Sequence, residues 1–244
     1  YDVFDENSIP NNSINSIVED DLGNLWIGSE SYLIFYDRQT NRFKGFYKNN
    51  TSKVLGKSLD GTIWANLRNT GIVKIIPNEK AENLQFQTEF NYTQDNSIWA
   101  NDKQVNHFAE DKFGRIWLAT PNGIIFLGKE NKLIQSGFLK NTETLIHTKN
   151  NSFIATTDEG IFVLNYAKAN NKLEVLKTYT DFPDANPVVP TYTALAQEEE
   201  SATLWIGTPS SLIKGTLKNN TYSFENVNNS NSQNGSSQSR INSL

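Results

Sequence analysis

Asp20-Asp21-Leu22-Gly23-Asn24-Leu25-Trp26-Ile27-Gly28-Ser29 is the stretch on which the fold turns. A polar tight turn runs directly into an apolar strand that carries one tryptophan. The pattern returns as Leu59-Asp60-Gly61-Thr62-Ile63-Trp64-Ala65-Asn66 and as Asp111-Lys112-Phe113-Gly114-Arg115-Ile116-Trp117-Leu118-Ala119-Thr120. A worn copy, Lys149-Asn150-Asn151-Ser152-Phe153-Ile154-Ala155-Thr156, places Phe153 in the tryptophan position. A fifth, Glu200-Ser201-Ala202-Thr203-Leu204-Trp205-Ile206-Gly207-Thr208, lacks the turn glycine. Repetition at this period identifies a repeat protein, in which each copy is one supersecondary unit that buries its faces against its neighbours.

Around each copy, short apolar segments alternate with polar turns, and helical periodicity is nowhere sustained. The first unit reads as strands over 14–19, 25–28, 33–36 and 43–47. The second reads 54–58, 63–66, 72–76 and 84–90, and the third 105–110, 116–120, 124–127 and 132–135. The fourth reads 144–148, 152–156, 161–166 and 173–179, and the fifth 192–197, 204–207, 212–215 and 222–227. Four antiparallel strands per repeat make a β-propeller blade, so the fold class is all-β, with about five complete blades of a larger propeller or a ring closed by another route. Sheets covered on both faces need nearly continuous apolar strands. The tryptophan fills the space between blades, the glycine permits positive φ in the turn, and the small residue beyond it (Gly28, Ala65, Ala119, Ala155, Gly207) suits a crowded place near the axis.

Spacing points to where the repeat has been modified. Trp26 and Trp64 are 38 residues apart and Trp117 and Phe153 are 36, whereas Trp64 to Trp117 is 53 and Phe153 to Trp205 is 52. The surplus falls at Asn91–Lys103 and Thr180–Thr191, in connections between a fourth strand and the next blade's first strand. Those connections share a rim with the loops between second and third strands, and insertions on one face mark a binding face. Residues 1–227 are therefore blades, 228–239 an Asn/Ser/Gln/Gly linker, and 240–244, which resembles Ser13–Ile17, the start of a further blade. Tyr1–Phe4 reads as a lone fourth strand. An opening Tyr1 and the absence of methionine are expected of a processed or excised piece.

Composition excludes several functions. The net charge is −5 and no basic run occurs, which disfavours nucleic acid as a partner. No apolar run approaches the length of a membrane span and no signal peptide opens the chain. Cysteine is absent, removing thiol catalysis, disulfides and cysteine metal sites. Asparagine makes up about one residue in seven, mostly where turns are expected.

Asp21–Ser29 followed by Leu33-Ile34-Phe35-Tyr36-Asp37, with the lead-in Ile9-Pro10-Asn11-Asn12-Ser13-Ile14-Asn15-Ser16-Ile17, resembles the two-component regulator propeller repeat. The resemblance is strong in the first and third repeats, fair in the second and fifth, and weak in the fourth. It implies the periplasmic sensor region of bacterial hybrid two-component systems, where propellers in tandem precede a β-sandwich, a membrane helix and a kinase. Many such sensors respond to oligosaccharides. Propellers in tandem imply contact with a neighbouring propeller domain, and unpaired edge strands at both chain ends point to a homodimer.

Candidate sites follow from the modified rim. Trp99 and Tyr92 lie in the first insertion, and the loops between second and third strands supply Glu30, Tyr32, Asn66, Arg68, Asn122, Asp158 and Glu159. Aromatic faces combined with amide and charged hydrogen bonders are what sugar recognition requires, and Arg68 suits an acidic sugar. Trp99 filling a gap between blades and Arg68 as a solvated surface side chain are the plainer readings. His107 and His147 occupy non-equivalent positions, unlike the metal-dependent histidines of a lyase propeller with similar repeats, and read as strand histidines. The acidic pairs Glu19-Asp20 and Glu110-Asp111 recur at turns, so turn chemistry explains them. No catalytic triad, phosphate loop or metal-spaced cluster is visible; no cofactor, metal or enzymatic activity is expected. A protein-binding scaffold, with open strand edges for self-association, is the alternative.

Overall fold

The computed structural model describes residues 7–77, 84–91, 104–127, 133–135, 139–167, 172–180, 192, 194–198, 201–209 and 211–227. Tyr92, Trp99, Tyr1–Phe4, the 228–239 segment and the 240–244 segment lie outside the described residues. The chain divides into two compact units, Tyr1–Val105 and Asn106–Leu244. The first holds β1 (Ile14–Glu19), β2 (Leu25–Ser29), β3 (Leu33–Asp37) and β4 (Arg42–Phe46), then β5 (Ser52–Lys57), β6 (Ile63–Leu67), β7 (Gly71–Ile76) and β8 (Gln85–Asn91). The second holds β9 (His107–Glu110), β10 (Ile116–Thr120), β11 (Gly123–Leu127) and β12 (Leu133–Gln135). It continues with β13 (Thr144–His147), β14 (Phe153–Thr157), β15 (Gly160–Ala167) and β16 (Lys172–Tyr179), and with β17 (Ala194–Gln197), β18 (Leu204–Gly207), β19 (Leu212–Lys218) and β20 (Thr221–Asn226). Each set of four forms one antiparallel meander in sequence order, the sheet of a propeller blade. Strand ends lie within three residues of those read from the sequence. Among the described residues, no helix is long and apolar enough to cross a membrane.

A common turn precedes every second strand. The backbone N–H of Asp20, Ser58, Asp111 and Thr148 each donates to the carbonyl four residues on, and Glu198 donates to Thr203 across one extra residue. Gly23, Gly61 and Gly114 take positive φ of 82°, 81° and 72° in this turn, where a Cβ would be strained. Asn151 fills the same place at φ 60°, and Ala202 supplies the positive φ (55°) of the longer fifth turn. Six of the nine non-glycine residues with positive φ among the described residues are asparagines, so the high asparagine content is turn chemistry.

The first residue of the turn also fastens the tryptophan. Trp26 Nε1 donates to Asp20 Oδ2 at 3.2 Å, Trp64 to Ser58 Oγ at 2.9 Å, Trp117 to Asp111 Oδ2 at 2.9 Å and Trp205 to Glu198 Oε1 at 2.7 Å. Asp20 Oδ1 meanwhile accepts from the backbone of Leu22 and Asn24, and Asp111 Oδ1 from Phe113 and Arg115. One buried carboxylate thereby closes the turn and satisfies the indole.

Counting six residues from the turn's first position corrects two expectations. Thr148 leads to Ile154, not to Phe153, so isoleucine holds the fourth tryptophan place. Ile154 has no side-chain N–H to satisfy, and Thr148 Oγ1 turns instead to the Ser152 carbonyl, at 3.0 Å. The small-residue series is likewise Gly28, Asn66, Ala119, Thr156 and Gly207, with two polar side chains in place of Ala65 and Ala155. The misreading arose because Phe153 is a large aromatic next to the slot; it faces the preceding blade.

That alternation builds the core. Trp26, Leu33 and Phe35 on one face of the first blade pack with Val54, Ile63, Ala65, Leu67, Val73 and Ile75 of the second. In the second unit, Trp117 and Phe126 meet Leu145, Phe153, Phe162 and Leu164 of the fourth blade. The fourth blade's opposite face, led by Ile154 and Ile161, meets Leu204, Ile206, Ile213 and Tyr222 of the fifth. Tyr192, expected in the fifth first strand, precedes β17 and is buried in that same cluster. Trp117 lies 4.7 Å from both Phe126 and Phe153 between ring centroids, and Arg115 stands 4.4 Å over the neighbouring Tyr166 while pairing with Asp111.

First strands are laced to one another by side chains. Asn15 Nδ2 donates to the Ser52 carbonyl at 3.2 Å, and Ser16 Oγ accepts from Val54 N at 2.7 Å. In the second unit, Asn106 Nδ2 donates to Thr142 O at 2.8 Å. His107 Nδ1 donates to Leu145 O at 2.8 Å, which places a proton on that nitrogen because a carbonyl only accepts. The approach is close: a Cβ on Gly28 would lie 2.7 Å from Ser52 O and 2.9 Å from Lys53 Cα.

Asp20→Ala is expected to cost about 1–3 kcal/mol by leaving the buried indole N–H unpaired, and clearly less in a Trp26→Phe background. A double-mutant cycle in urea that shows no coupling would refute the fastening role. Gly28→Val, by contrast, must push the backbones of β2 and β5 apart, so it should lower the thermal midpoint more than Gly207→Ala.

Candidate functional site

The connections that enter β1, β5 and β13 are hydrogen-bonded to loops that follow second strands, which makes a polar rim in each unit. In the first unit, Asn50 N donates to the carbonyls of Tyr47 (3.1 Å) and Ser31 (3.4 Å), while its side chain bridges Thr70 Oγ1 (2.9 Å) and Asn69 N (3.0 Å). Thr51 Oγ1 donates to Glu30 O at 3.1 Å, and Arg68 N donates to Thr51 O at 3.0 Å. Glu30 and Arg68 are thus brought together through Thr51, with both side chains exposed.

Tyr32 is half-buried, and its carbonyl accepts from Ser29 N at 3.1 Å and Ser52 Oγ at 2.6 Å. Its ring covers Gly45, where a Cβ would meet Cδ1 at 2.8 Å. That makes Tyr32 more a wall of the fold than an open sugar platform. Asn66, expected in the loop, is in β6 and buried. In the second unit Asn122 is exposed in the β10–β11 turn, and Asp158 Oδ2 accepts from Asn141 Nδ2 at 2.8 Å. Asn141 N also donates to Pro121 O at 2.7 Å, so Asn141 ties Asp158 to the Asn122 turn. Glu159 is exposed beside Asp158.

Lys53 is the rim residue that sequence reading passed over. It stands near the start of β5, opposite Asn66 in the β5–β6 register, beside a register shift between Val54 and Gly56. Its ammonium Nζ donates to Val105 O at 3.5 Å, and burial pushes the lysine pKa down. The signal was present in the turn count: six residues from Ser58 put Trp64 in its slot and so Asn66, not Ala65, in the small-residue place facing Lys53.

Both histidines serve the blades. His107 is the interstrand donor described above. His147 lies beside Phe153, ring to ring at 5.0 Å, with Nε2 3.3 Å from Asn151 Oδ1. Among the described residues, no group of three His, Cys, Asp or Glu side chains is placed to hold a metal ion.

Burial pushes the His147 pKa below its ordinary 6.5, against smaller upward effects of the Asn151 hydrogen bond and the Asp111 charge. The unfolded chain therefore takes up the proton first on acidification. The His147 contribution to stability is fully present above 6.5 and declines as pH falls toward the lower folded-state value. Urea unfolding followed from about pH 8 to about pH 5 should lose stability over that interval, and His147→Gln should flatten the decline. An equally steep decline in the variant would assign the effect elsewhere.

No curated protein matches the chain in sequence. The two component regulator propeller family matches residues 8–31 and 100–122. Among solved structures, the chain is similar to the extracellular domain of a putative hybrid two component system of B. thetaiotaomicron, with 20% identity, a TM-score of 0.64 and coverage of 91% of this chain and 29% of that one. A second such domain from the same organism gives 16% identity, a TM-score of 0.65 and coverage of 89% and 29%. A streptogramin B lyase gives 18% identity, a TM-score of 0.62 and coverage of 93% and 72%. The chain thus spans 29% of the length of each of those extracellular domains, and they and the lyase share its blade architecture. Matched repeats, the turn that fastens each tryptophan and the four-stranded sheets together make the chain a β-propeller fold with two repeats similar to the two component regulator propeller family.

Proposed function

We propose that this chain forms part of the periplasmic sensor region of a two-component signalling protein, and that its rim takes an oligosaccharide. The observation that carries the reading is the pair of family-matched repeats, at residues 8–31 and 100–122, in blades like those of extracellular domains of putative hybrid two component systems. The rim supports the ligand class. It combines amides, hydroxyls and charged groups of both signs (Asn50, Thr51, Glu30, Arg68, Asn122, Asp158), the mixture that sugar hydroxyls require. Signalling then proceeds by ligand-biased packing between propeller domains or subunits, without chemistry in this chain. A lyase-like reading has only fold likeness behind it, since the two histidines occupy different positions and are engaged within the blades.

A scaffold reading draws on the other end of the sheets. Leu59 is 85% exposed and Phe113 is 56% exposed, each in a turn between a first and second strand. Apolar tips of this kind fit a protein partner better than a sugar.

Thermal melting against a panel of neutral and acidic oligosaccharides separates the two. A sensor should be stabilised by at least one of them, by about 2.7 kcal/mol at a hundredfold excess over Kd. No shift with any sugar, together with a stable dimer that Leu59→Asp dissociates, would establish the scaffold instead.

A further inference from the structure

We propose that Asn122, with Gly123 after it, is a site of spontaneous covalent modification, where the carboxamide is lost through a cyclic imide and a carboxylate remains on the rim of the second unit. The proposal goes beyond the sensor reading and holds whatever the rim binds.

The reaction needs only the chain and water. The Gly123 backbone nitrogen, on giving up its proton, attacks Cγ of Asn122. A bond forms between that nitrogen and Cγ, the Cγ–Nδ2 bond breaks, and ammonia leaves with the proton. Water then opens the five-membered imide at either of its carbonyls, giving aspartate or isoaspartate.

Three observations place this chemistry at Asn122. The first is the residue that follows it. A side chain on the attacking residue hinders ring closure, and glycine has none. Asn122 is the one asparagine among the described residues that precedes a glycine. The matching turns of the second and fourth blades put Thr70 before Gly71 and Glu159 before Gly160, and neither of those side chains carries a carboxamide. All three glycines hold a positive φ, 138° at Gly71, 120° at Gly123 and 144° at Gly160, so the turn is shared and only its chemistry differs.

The second observation is that the Asn122 carboxamide is not held. Turn asparagines elsewhere are fastened by their side chains. Asn41 Oδ1 accepts from the Tyr36 hydroxyl at 2.7 Å, Asn69 Nδ2 donates to Asn49 O at 3.4 Å, and Asn141 Nδ2 donates to Asp158 Oδ2 at 2.8 Å. Asn122 is exposed, and no described residue hydrogen-bonds to its side chain. Asp60-Gly61 is the described aspartate pair that could close the same ring, and it is guarded. Asp60 Oδ1 accepts from Thr62 N at 3.0 Å. Burial alone would raise the Asp60 pKa, but its hydrogen bonds with Thr62 and Ser58 and the Lys74 charge outweigh that and hold it below the ordinary value. Asp60 therefore stays a carboxylate, which resists attack by an amide nitrogen.

The third is the place of Gly123 in the sheet. It pairs with Thr120 at the last position of the β10–β11 ladder, so the end of one hairpin must open and the interior need not. Thr120 Oγ1 donates to Gly123 O at 2.8 Å and Asn141 N donates to Pro121 O at 2.7 Å, and both bonds resist that opening. The folded chain is therefore slower to react than the unfolded one. The product adds a negative charge to a rim where Asn141 already ties Asp158 to this turn and Glu159 is exposed, and like charges there repel.

Incubation of the whole chain at mildly alkaline pH, then peptide mapping by mass spectrometry with detection of isoaspartate, tests the proposal. The map reads residue 122 separately from Asn234-Gly235, which lies outside the described residues. Asn122 should convert to aspartate and isoaspartate together, faster as pH rises, ahead of every other described asparagine and with Asp60 intact. Urea should speed the conversion. Asn122→Gln, whose imide would be six-membered, should lose the product at this position while melting like the parent chain. Asn122 left intact over a period in which the urea-unfolded chain converts would overturn the proposal, because the hairpin would then close off the reaction. Aspartate without isoaspartate would overturn the imide route. Conversion no faster than at Asn69 or Asn141, or Asp60 reacting as fast as Asn122, would overturn the assignment to this turn.

Discussion

The hydrogen bond from a buried indole to the first residue of a tight turn is the constraint from which the blades follow. An indole N–H between two sheets has no water to meet, so something in the protein must accept from it. Asp20 and Asp111 do so while also closing the turn that starts the second strand. The tryptophan's depth, the strand's register and the turn's position are therefore set by one carboxylate. Ser58 performs the task with a hydroxyl, and Glu198 spans one additional residue with a longer side chain. Where the indole is missing, at Ile154, the acid is missing too, and Thr148 takes its place.

Blade contacts depend on that register. Side chains alternate across a strand, so a shift of one residue would exchange the faces offered to the two neighbouring blades. In the fourth blade Phe153 meets Trp117 on one side while Ile154 meets Leu204 and Ile206 on the other. Large residues on both faces, with Ala155 and Thr156 following, hold the sheet between two neighbours without a tryptophan.

Much of the fold was legible because the turns announce themselves. Gly23, Gly61 and Gly114 punctuate the strands so regularly that each strand end was placed within three residues. The fourth repeat was displaced by one residue because its cues are substitutes: Asn151 takes the glycine conformation, and the most conspicuous aromatic, Phe153, is not in the tryptophan slot. Candidate residues were less legible. Arg68, Glu30, Asn122 and Glu159 are exposed where loops were expected, whereas Asn66 is inside a strand and Tyr32 largely serves its neighbours. Lys53 escaped notice because a lysine in an alternating strand normally points to solvent. Only the pairing of β5 with β6 reveals that it faces Asn66. Such a pairing is a relation between distant residues and leaves little trace in either stretch alone.

The position of β5 has a mechanical consequence. The β5 backbone at Ser52 and Lys53 lies against Gly28 so closely that a single methyl group would not fit. The same segment receives the Asn15 hydrogen bond and gives the Val54 N–H to Ser16. This segment is therefore a joint between two blades rather than a loose surface loop. Close-packed joints move between discrete arrangements instead of deforming smoothly. A change at this segment therefore moves the first blade against the second as a step rather than as a gradual give.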